Sequence, residues 1–357
     1  MSIGQIFCTG IQGFSLTDEE SEFLEKEDIG GVVLFSHNFD CPAQLAELVN
    51  SIQKCRDEYP LLICTDHEGG RAQQFTDGFT HFPAMGEIAT LESPKVTFEV
   101  HQVMAEELKA CGVNTNLAPC CDILSNNHNK IIGDRSFGSD CESVSKHISA
   151  AIRGLQTAGI IACAKHFPGH GDTSKDASRG VPVVKNSCEK LEEREVVPFS
   201  RASRARVELM MMGHLQVDSI DEEISCSLSE KAHSFLRDKT KFRGLVISDN
   251  LEVKAITDKY STSEIPLMAI KAGCDLLLYK SFEGAKKAYE AVKASHSEGK
   301  LKNSGIADSL KKIEDLKKRY LSNYEPIYIP SIQKILGRST SIELSRGLAQ
   351  KILSEVE

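Results

Sequence analysis

The sequence has no uninterrupted apolar run of membrane-spanning length and no block rich in lysine or arginine. The first absence argues against a chain that crosses a bilayer as a helix. The formal net charge of −9, without a basic block, disfavours binding to nucleic acid or to an anionic membrane. The first residues also lack the basic region and apolar core of a signal peptide, which predicts a cytoplasmic protein.

The cysteines are numerous, but their spacing does not indicate a metal site or a disulfide framework. The chain has 12 cysteines and no C-x-x-C pair, and the adjacent Cys120 and Cys121 are poorly arranged for joint metal ligation. Cys64, Cys163 and Cys274 lie within or beside apolar runs, where a thiol packs as a small core residue. We therefore predict reduced thiols, no metal and no cofactor.

Short apolar runs alternate with helical patterns along most of the chain. Eight strand–helix units in 357 residues predict a (β/α)₈ barrel of the α/β class, with a doubly wound open sheet as the alternative. We predict a single domain over residues 1–357, with the barrel over about 1–320 and a C-terminal helical extension over about 325–357. The predicted strands cover residues 4–9, 31–35, 61–65, 115–118, 160–164, 209–212, 245–248 and 275–279.

Local signals mark where several helices begin or bend. Thr17 followed by Glu20 predicts a capping box at one helix start. Pro42 and Pro94 predict two further starts, because proline is favoured in the first helical turn. Pro198 predicts a kink or an end within the helical pattern of residues 191–202.

Polar residues directly follow several of the predicted strands. Asp66, the pair Lys165-His166, His214 and Asp249 each stand after an apolar run. A barrel gathers these strand ends at one rim, where such enzymes carry their chemistry, whereas an open sheet spreads them apart. The structural alternative for Asp249 is a helix cap. As a functional group, it is a carboxylate suited to nucleophilic attack or cation stabilisation.

The stretch from Lys165 to Pro182 is rich in titratable side chains. It contains two His, two Lys, one Arg, two Asp and two Ser, while three Gly and two Pro prevent regular structure. Such groups on a long irregular loop after a buried strand indicate a site. The alternative is a solvated loop in which the histidines have no role.

A series of short motifs extends across the chain. The longest is KHFPGHGDT at residues 165–173, with Asp176 and the tripeptide GVP at residues 180–182 beyond it. The others are DHEGGR at 66–71, NLAP at 116–119 with Asp122, GDRSF at 133–137, MGH at 212–214 and ISDNL at 247–251. In this order they resemble glycoside hydrolase family 3, most closely its bacterial β-N-acetylglucosaminidases, which remove N-acetylglucosamine from cell-wall fragments.

The resemblance implies a retaining, two-step glycoside hydrolysis in a barrel, without a cofactor. Asp249 matches the nucleophile, which forms a covalent glycosyl-enzyme that water then hydrolyses. The implied partner is a saccharide that contains N-acetylglucosamine, and the implied process is peptidoglycan recycling in the cytoplasm. We expect a monomer. The residues assigned to sugar binding are Asp66, Arg135, Lys165, His166 and His214.

Two residues depart from the family pattern. The family's acid/base histidine stands two residues after an aspartate that orients it. Asp176 matches that aspartate, but Ser178 occupies the histidine position. A serine hydroxyl does not titrate near neutral pH, so it cannot protonate a leaving oxygen as imidazolium does. Gln74 stands where these enzymes carry a sugar-binding arginine.

Three hypotheses follow from these departures. The chain is a retaining exo-β-N-acetylhexosaminidase with a substitute acid, either Asp176 itself or another residue brought in by the loop. Alternatively, it is a catalytically impaired protein that binds amino sugars or muropeptides. The third hypothesis is a glycosidase of different specificity, whose leaving groups need little protonation. We favour the first, since the nucleophile and most sugar-binding positions are retained.

Overall fold

The computed structural model describes residues 1–56, 58–301 and 305–356, and eight of its strands form one sheet. Every residue of these eight strands is buried, which explains why they read as apolar runs without alternation. In chain order the strands are β1 (Phe7–Thr9), β2 (Gly31–Leu34), β3 (Leu62–Thr65), β4 (Thr115–Asn116), β5 (Ile161–Phe167), β6 (Val183–Val184), β7 (Leu209–Met212), β8 (Gln216–Val217), β9 (Leu245–Ser248) and β10 (Leu277–Tyr279).

The sheet is parallel and closed. Its strand order is β10-β1-β2-β3-β4-β5-β7-β9, while β6 and β8 form a separate pair. A parallel bridge between Ile247 and Leu276, with hydrogen bonds on either side of it, joins β9 to the start of β10. The predicted (β/α)₈ barrel is therefore confirmed, and the open sheet is ruled out.

Helices surround the barrel, and the predicted helix starts are confirmed. Thr17 and Glu20 form both hydrogen bonds of a capping box. Pro42 and Pro94 each occupy the first helical position. The helices are α1 (Asp18–Lys26), α2 (Pro42–Lys54), α3 (Met85–Thr90), α4 (Pro94–Ala110), α5 (Cys141–Thr157), α6 (Cys188–Lys190), α7 (Val196–Arg204), α8 (Glu230–Thr240), α9 (Lys254–Thr257), α10 (Glu264–Ala272), α11 (Phe282–Ser297), α12 (Ile306–Leu321) and α13 (Ser339–Val356).

Two local predictions need correction. The fifth strand does not end before Lys165 but continues to Phe167, so Lys165 and His166 belong to β5. The irregularity expected at Pro198 lies upstream of it, in a π-helical segment over Leu191–Glu195 that runs directly into α7. Pro198 itself is the third residue of α7. Proline cannot donate the N–H of a regular helical hydrogen bond, and the wider π turn directly before it is where the helix departs from the α pattern.

The C-terminal helices pack on two sides of the barrel. Lys317 of α12 is buried and donates from Nζ to Gln5 Oε1 at 2.7 Å. Ser345 of α13 donates from Oγ to the carbonyl of His81, beside α3. The division into a barrel and a helical extension stays a prediction. Within the described ranges, no helix is both long and apolar enough to cross a bilayer.

Candidate active site

A cavity of about 400 Å³ opens at the rim formed by the carboxyl ends of the strands. Residues from many segments line it, and eight of the nine predicted site residues are among them. His214 is the ninth. The eight are Asp66, Gln74, Arg135, Lys165, His166, Asp176, Ser178 and Asp249.

The end of β5 brings two consecutive polar side chains to this cavity. Lys165 and His166 both line it, although neighbouring residues of a regular strand point to opposite faces. The pairing of β5 with β7 shifts register between Ala164 and Phe167. Such irregularities redirect side chains next to active sites.

Lys165 lies at the centre of a buried ionic cluster. Its Nζ is 2.5 Å from Asp66 Oδ1 and 2.6 Å from Glu68 Oε1. Arg135 donates to both oxygens of Glu68, at 2.9 and 2.8 Å. Burial alone raises the pKa of Glu68, but Arg135 and Lys165 outweigh it and hold that pKa well below its usual range. The cluster therefore stays charged and presents Asp66, which is partly exposed, to the cavity.

Asp122 orients the two histidines of the signature motif. It accepts hydrogen bonds from the His166 ring (Nδ1, 2.7 Å) and from the His170 backbone N–H (2.6 Å). Burial raises its pKa, but the contacts with His166 and His170 bring the net value down to about 2. Asp122 is thus a buried anion that fixes the position of both residues at the cavity wall.

Asp249 directly follows β9 and faces the same cavity. Its Oδ1 accepts a hydrogen bond from the Asn250 N–H at 2.7 Å, and it does not cap a regular helix. Burial raises the pKa of the Asp249 carboxyl. A larger opposite effect comes from its electrostatic interactions with His214, His166 and Lys165 and from the Asn250 N–H. The pKa therefore lies below its usual range, so the carboxylate is ionised and suited to nucleophilic attack.

The departure at Ser178 lies in a short turn at the mouth of the cavity. Asp176 precedes this 3₁₀ turn, Ala177–Arg179, and accepts the Ser178 N–H through Oδ1 at 2.8 Å. Ser178 is exposed and lines the cavity. Gln74 lies on another part of the wall, where its Oε1 accepts the Ser36 N–H at 3.0 Å.

His214 does not line the cavity. It is buried, its Nδ1 lies 2.6 Å from Ser227 Oγ, and its Nε2 lies 2.8 Å from the Asn250 carbonyl. Both ring nitrogens are therefore occupied. This geometry supports a positioning role for His214 beside Asp249, and its contact with the sugar stays a prediction.

Several cavity residues were not singled out from the sequence. Glu68 and His170 stand within quoted motifs, so the motif was a signal for them although their roles were not assigned. Lys280 follows β10, and its Nζ lies 4.6 Å from the centre of the Phe35 ring, a cation–π contact at the cavity wall. Its position after a strand was the available signal.

Among the residues that the structure describes, one cluster of side chains could hold a metal ion. The ligand atoms of Cys120, Asp122 and His166 lie within 4.8 Å of one another, and all three residues are buried. Asp122 and His166 are already hydrogen-bonded to each other. Burial and the Asp122 charge raise the pKa of the Cys120 thiol well above its usual range, which keeps it protonated. These contacts account for the cluster without an ion, and the absence of a metal stays a prediction.

The chemistry of this arrangement suits a sugar. Charged carboxylate and ammonium groups at one wall can hydrogen-bond to neighbouring hydroxyls. The ionised Asp249 can attack a carbon that such contacts hold in place. The loop histidine expected as the acid is absent at Ser178.

Comparisons with known proteins agree with this geometry. Residues 2–316 match the model for the glycosyl hydrolase family 3 N terminal domain. A β-hexosaminidase of Tolumonas auensis is 36% identical over 271 residues, which cover 75% of this chain and 80% of the relative. A β-hexosaminidase of Nitrosomonas eutropha is 34% identical over 274 residues, with 75% and 78% covered.

A solved structure extends the agreement to the fold. The glycoside hydrolase family 3 β-N-acetylglucosaminidase from Paenibacillus sp. str. FPU-7 is similar with a TM-score of 0.94 and 31% identity, over 98% of this chain and 68% of that one. The resemblance seen in the motifs is confirmed, and this chain belongs to glycosyl hydrolase family 3.

Proposed function

We propose that the protein is a retaining exo-β-N-acetylhexosaminidase that removes a terminal N-acetylglucosamine. The observation that carries the proposal is the position of Asp249, an ionised carboxylate, in the same cavity as the Lys165 cluster. The names of the relatives, β-hexosaminidase and β-N-acetylglucosaminidase, support the choice of sugar.

The reaction has two displacement steps. An oxygen of Asp249 attacks the anomeric carbon, the glycosidic bond breaks, and a covalent glycosyl-enzyme forms. Water then attacks the same carbon and releases Asp249, so the sugar leaves with its original configuration. Asp66, Arg135, Lys165 and His166 hold the hydroxyls of the terminal sugar during both steps.

We extend the proposal to cell-wall fragments as the source of this sugar and to the cytoplasm as the place of action. The family resemblance of the motifs supports the first. The second follows from the first, because the motifs resemble those of enzymes of cytoplasmic peptidoglycan recycling.

Covalent labelling tests the role of Asp249. A 2-fluoro sugar or a dinitrophenyl N-acetylglucosaminide forms the ester with little need for an acid, and mass spectrometry of the digested protein locates it. We expect the label on Asp249 and no label on an Asp249→Asn variant, which keeps the shape of the side chain. Asp258→Asn, at the exposed end of α9, is the matched control and is expected to label normally. A label on another residue removes Asp249 from this role.

Ser178 supports a second candidate, a protein that binds the sugar without hydrolysing it. The binding cluster does not include Ser178, so affinity does not depend on the missing histidine. Calorimetry that detects N-acetylglucosamine, together with no labelling of Asp249, would favour this candidate. Absence of sugar binding even at high concentration would contradict both.

A further inference from the structure

His170 is a titratable cavity residue that has no role in the steps above. It lies between β5 and the Asp176 turn, it is 6% exposed, and it lines the cavity with Asp249 and Ser178. His166 and His170 stand four residues apart, but Pro168 and Gly169 separate them in an irregular loop. Their rings meet edge to face, with centres 5.9 Å apart.

The contacts of the His170 ring leave one nitrogen for the cavity. Nδ1 lies 2.7 Å from Thr173 Oγ1, and that hydroxyl also lies 2.9 Å from the His170 carbonyl, to which it can donate its only hydrogen. Nδ1–H then donates to Thr173 Oγ1. Among the described residues, Nε2 has no hydrogen-bond partner, and this atom is not fully buried.

The Thr173 contact suits a ring that changes its protonation state. In the neutral ring Nδ1 carries the proton, and Nε2 has a free electron pair. In the charged ring Nδ1–H makes the same hydrogen bond, and Nε2–H faces the cavity. The hydroxyl of Thr173 therefore holds the ring in one orientation in both states.

The backbone of His170 is anchored on two sides. Its N–H donates to Asp122 Oδ1 at 2.6 Å, and its carbonyl accepts from Asn129 Nδ2 at 2.8 Å. At the preceding Gly169, a side-chain carbon would lie 2.9 Å from Glu195 Cβ, so the loop packs closely against that residue. These contacts place the ring firmly, which acid–base catalysis requires.

Several of the other polar groups in the cavity already have an assigned role or a charged partner. Asp249 is assigned to the attack and His166 to hydroxyl binding. Asp176 holds the turn through the Ser178 N–H, and the Ser178 hydroxyl does not titrate near neutral pH. Glu68 is ion-paired with Arg135 and Lys165.

We propose that His170, through Nε2, exchanges the proton with the leaving-group oxygen and then with water, in place of the histidine absent at position 178. This inference rests on the proposed hydrolysis. It concerns leaving groups that need protonation; nitrophenyl leaving groups depart without it.

The proton and the bonds balance over the two steps. In the first, Asp249 forms a bond to the anomeric carbon while the bond from that carbon to the glycosidic oxygen breaks, and Nε2–H gives its proton to that oxygen. In the second, neutral Nε2 takes a proton from water as the water oxygen bonds to the anomeric carbon and Asp249 leaves. His170 returns to its charged form.

The electrostatic surroundings of His170 agree with this use. Burial lowers its pKa and so does the His166 ring, while the charges of Asp122 and Asp249 oppose them in part. Glu195, packed behind Gly169, has a pKa that burial raises, which favours its neutral form. The pKa of His170 thus lies below 6.5, so the acid form grows as the pH falls towards it.

The test compares leaving groups in the full-length protein. We expect His170→Asn to keep the hydrogen bond to Thr173, because the asparagine amide can occupy the position of Nδ1. The kcat/KM should fall by about 10²–10⁴-fold for methyl and other alkyl N-acetylglucosaminides and stay nearly unchanged for the dinitrophenyl glycoside. The fall of kcat/KM on the alkaline side of the pH profile should disappear, because that fall reflects loss of the charged form of His170. Azide should accelerate release of the glycosyl-enzyme, giving a β-glycosyl azide.

His147→Asn is the matched control. His147 is also buried, and its Nδ1 also lies 2.7 Å from a threonine hydroxyl, that of Thr97, but it does not line the cavity. We expect this variant to keep the wild-type leaving-group dependence. If it shows the same change as His170→Asn, the effect is structural and the inference fails.

Two other outcomes would overturn the inference while leaving the proposed function intact. One is a label on Asp249 together with the same dependence of kcat/KM on the leaving-group pKa in the wild type and in His170→Asn. The other is a kcat/KM that falls more steeply with leaving-group pKa than in the wild type when His166→Asn or Asp176→Asn is tested, but not when His170→Asn is tested. A protein in which Asp249 never labels would instead contradict the proposed function itself.

Discussion

Ser178 lies in a turn that already has the carboxylate a histidine would need. Asp176 Oδ1 accepts the Ser178 N–H, and Oδ2 accepts no hydrogen bond within the described part of the loop. We expect Ser178→His to raise the hydrolysis of glycosides with basic leaving groups, by at most the roughly 10²–10⁴-fold that a positioned acid contributes. Kinetics across an aryl and alkyl leaving-group series measure this gain.

A histidine elsewhere on the same loop provides the control. Ser174 is exposed and does not line the cavity, so Ser174→His should leave the rates unchanged. Equal rates for Ser178→His and the wild type on every substrate would show that the turn cannot direct a ring at the glycosidic oxygen.

Asp66 is the most exposed member of the ionic cluster at the cavity wall. We expect Asp66→Ala to weaken N-acetylglucosamine binding by about 1.5–3 kcal/mol, or roughly tenfold to a hundredfold, because a charge-assisted hydrogen bond is lost. Asp66→Ala leaves Glu68 as the single carboxylate between Lys165 and Arg135. Lys165 keeps its 2.6 Å contact with Glu68, so we expect the fold to persist. Calorimetry measures the affinity, and an affinity equal to that of the wild type would remove Asp66 from the binding set.

At the scale of elements, the strands were predictable and the end of β5 was not. Seven strands end near their predicted bounds, because a strand buried on both faces is an unbroken apolar run. Lys165 and His166 interrupt such a run. Their burial depends on Asp66 and Asp122, which lie 99 and 44 residues away in sequence and meet them only in the closed barrel.

The site shows the same limit. Motifs identified Asp249 and Asp66, since each directly follows an apolar run. His214 is held by hydrogen bonds with the Ser227 hydroxyl and the Asn250 carbonyl, which no spacing in the sequence reveals. The fixed tautomer of His170 likewise arises only when the loop folds.

The loop after β5 packs against the segment after β4, and the two come very close at Gly171. A side-chain carbon there would lie 1.6 Å from the Ile123 carbonyl oxygen. We expect Gly171→Ala to lower the free energy of unfolding by at least the roughly 1–3 kcal/mol typical of overpacking, and to reduce kcat as the loop shifts. Gly13→Ala, which meets no atom within 4 Å, is the control for thermal unfolding. Similar melting temperatures for both variants would contradict this packing argument.

At the scale of the whole molecule, buried histidines couple folding to pH. His67, His101 and His233 are buried, and burial lowers their pKa values to about 3, 4 and 4. Among the described residues, neither ring nitrogen of His67 has a hydrogen-bond partner, and the ring packs against Phe75 and Phe79. Protonation of these rings is therefore strongly disfavoured in the folded state.

The sign of the coupling follows from the proton balance. Between these folded-state pKa values and about 6.5 in the unfolded chain, the unfolded state binds more protons than the folded state. Stability is thus fully present above about pH 6.5 and falls as the pH drops towards 4, by up to about 1.4 kcal/mol per pH unit for each histidine. Asp122, whose pKa is lowered to about 2, adds a further loss only below about pH 4.

Urea unfolding at a series of pH values isolates one of these residues. We expect His67→Leu, which removes the titratable ring from an apolar site, to reduce the slope of the unfolding free energy against pH between about 6.5 and 4 by the contribution of one proton. The slope is the readout because the substitution also changes packing against Phe75 and Phe79. His296→Leu, on the exposed part of α11, should keep the wild-type slope. A His67→Leu slope equal to that of the wild type would contradict this argument. It would mean that His67 becomes protonated in the folded state, through water or local opening, so that its burial does not contribute to acid sensitivity.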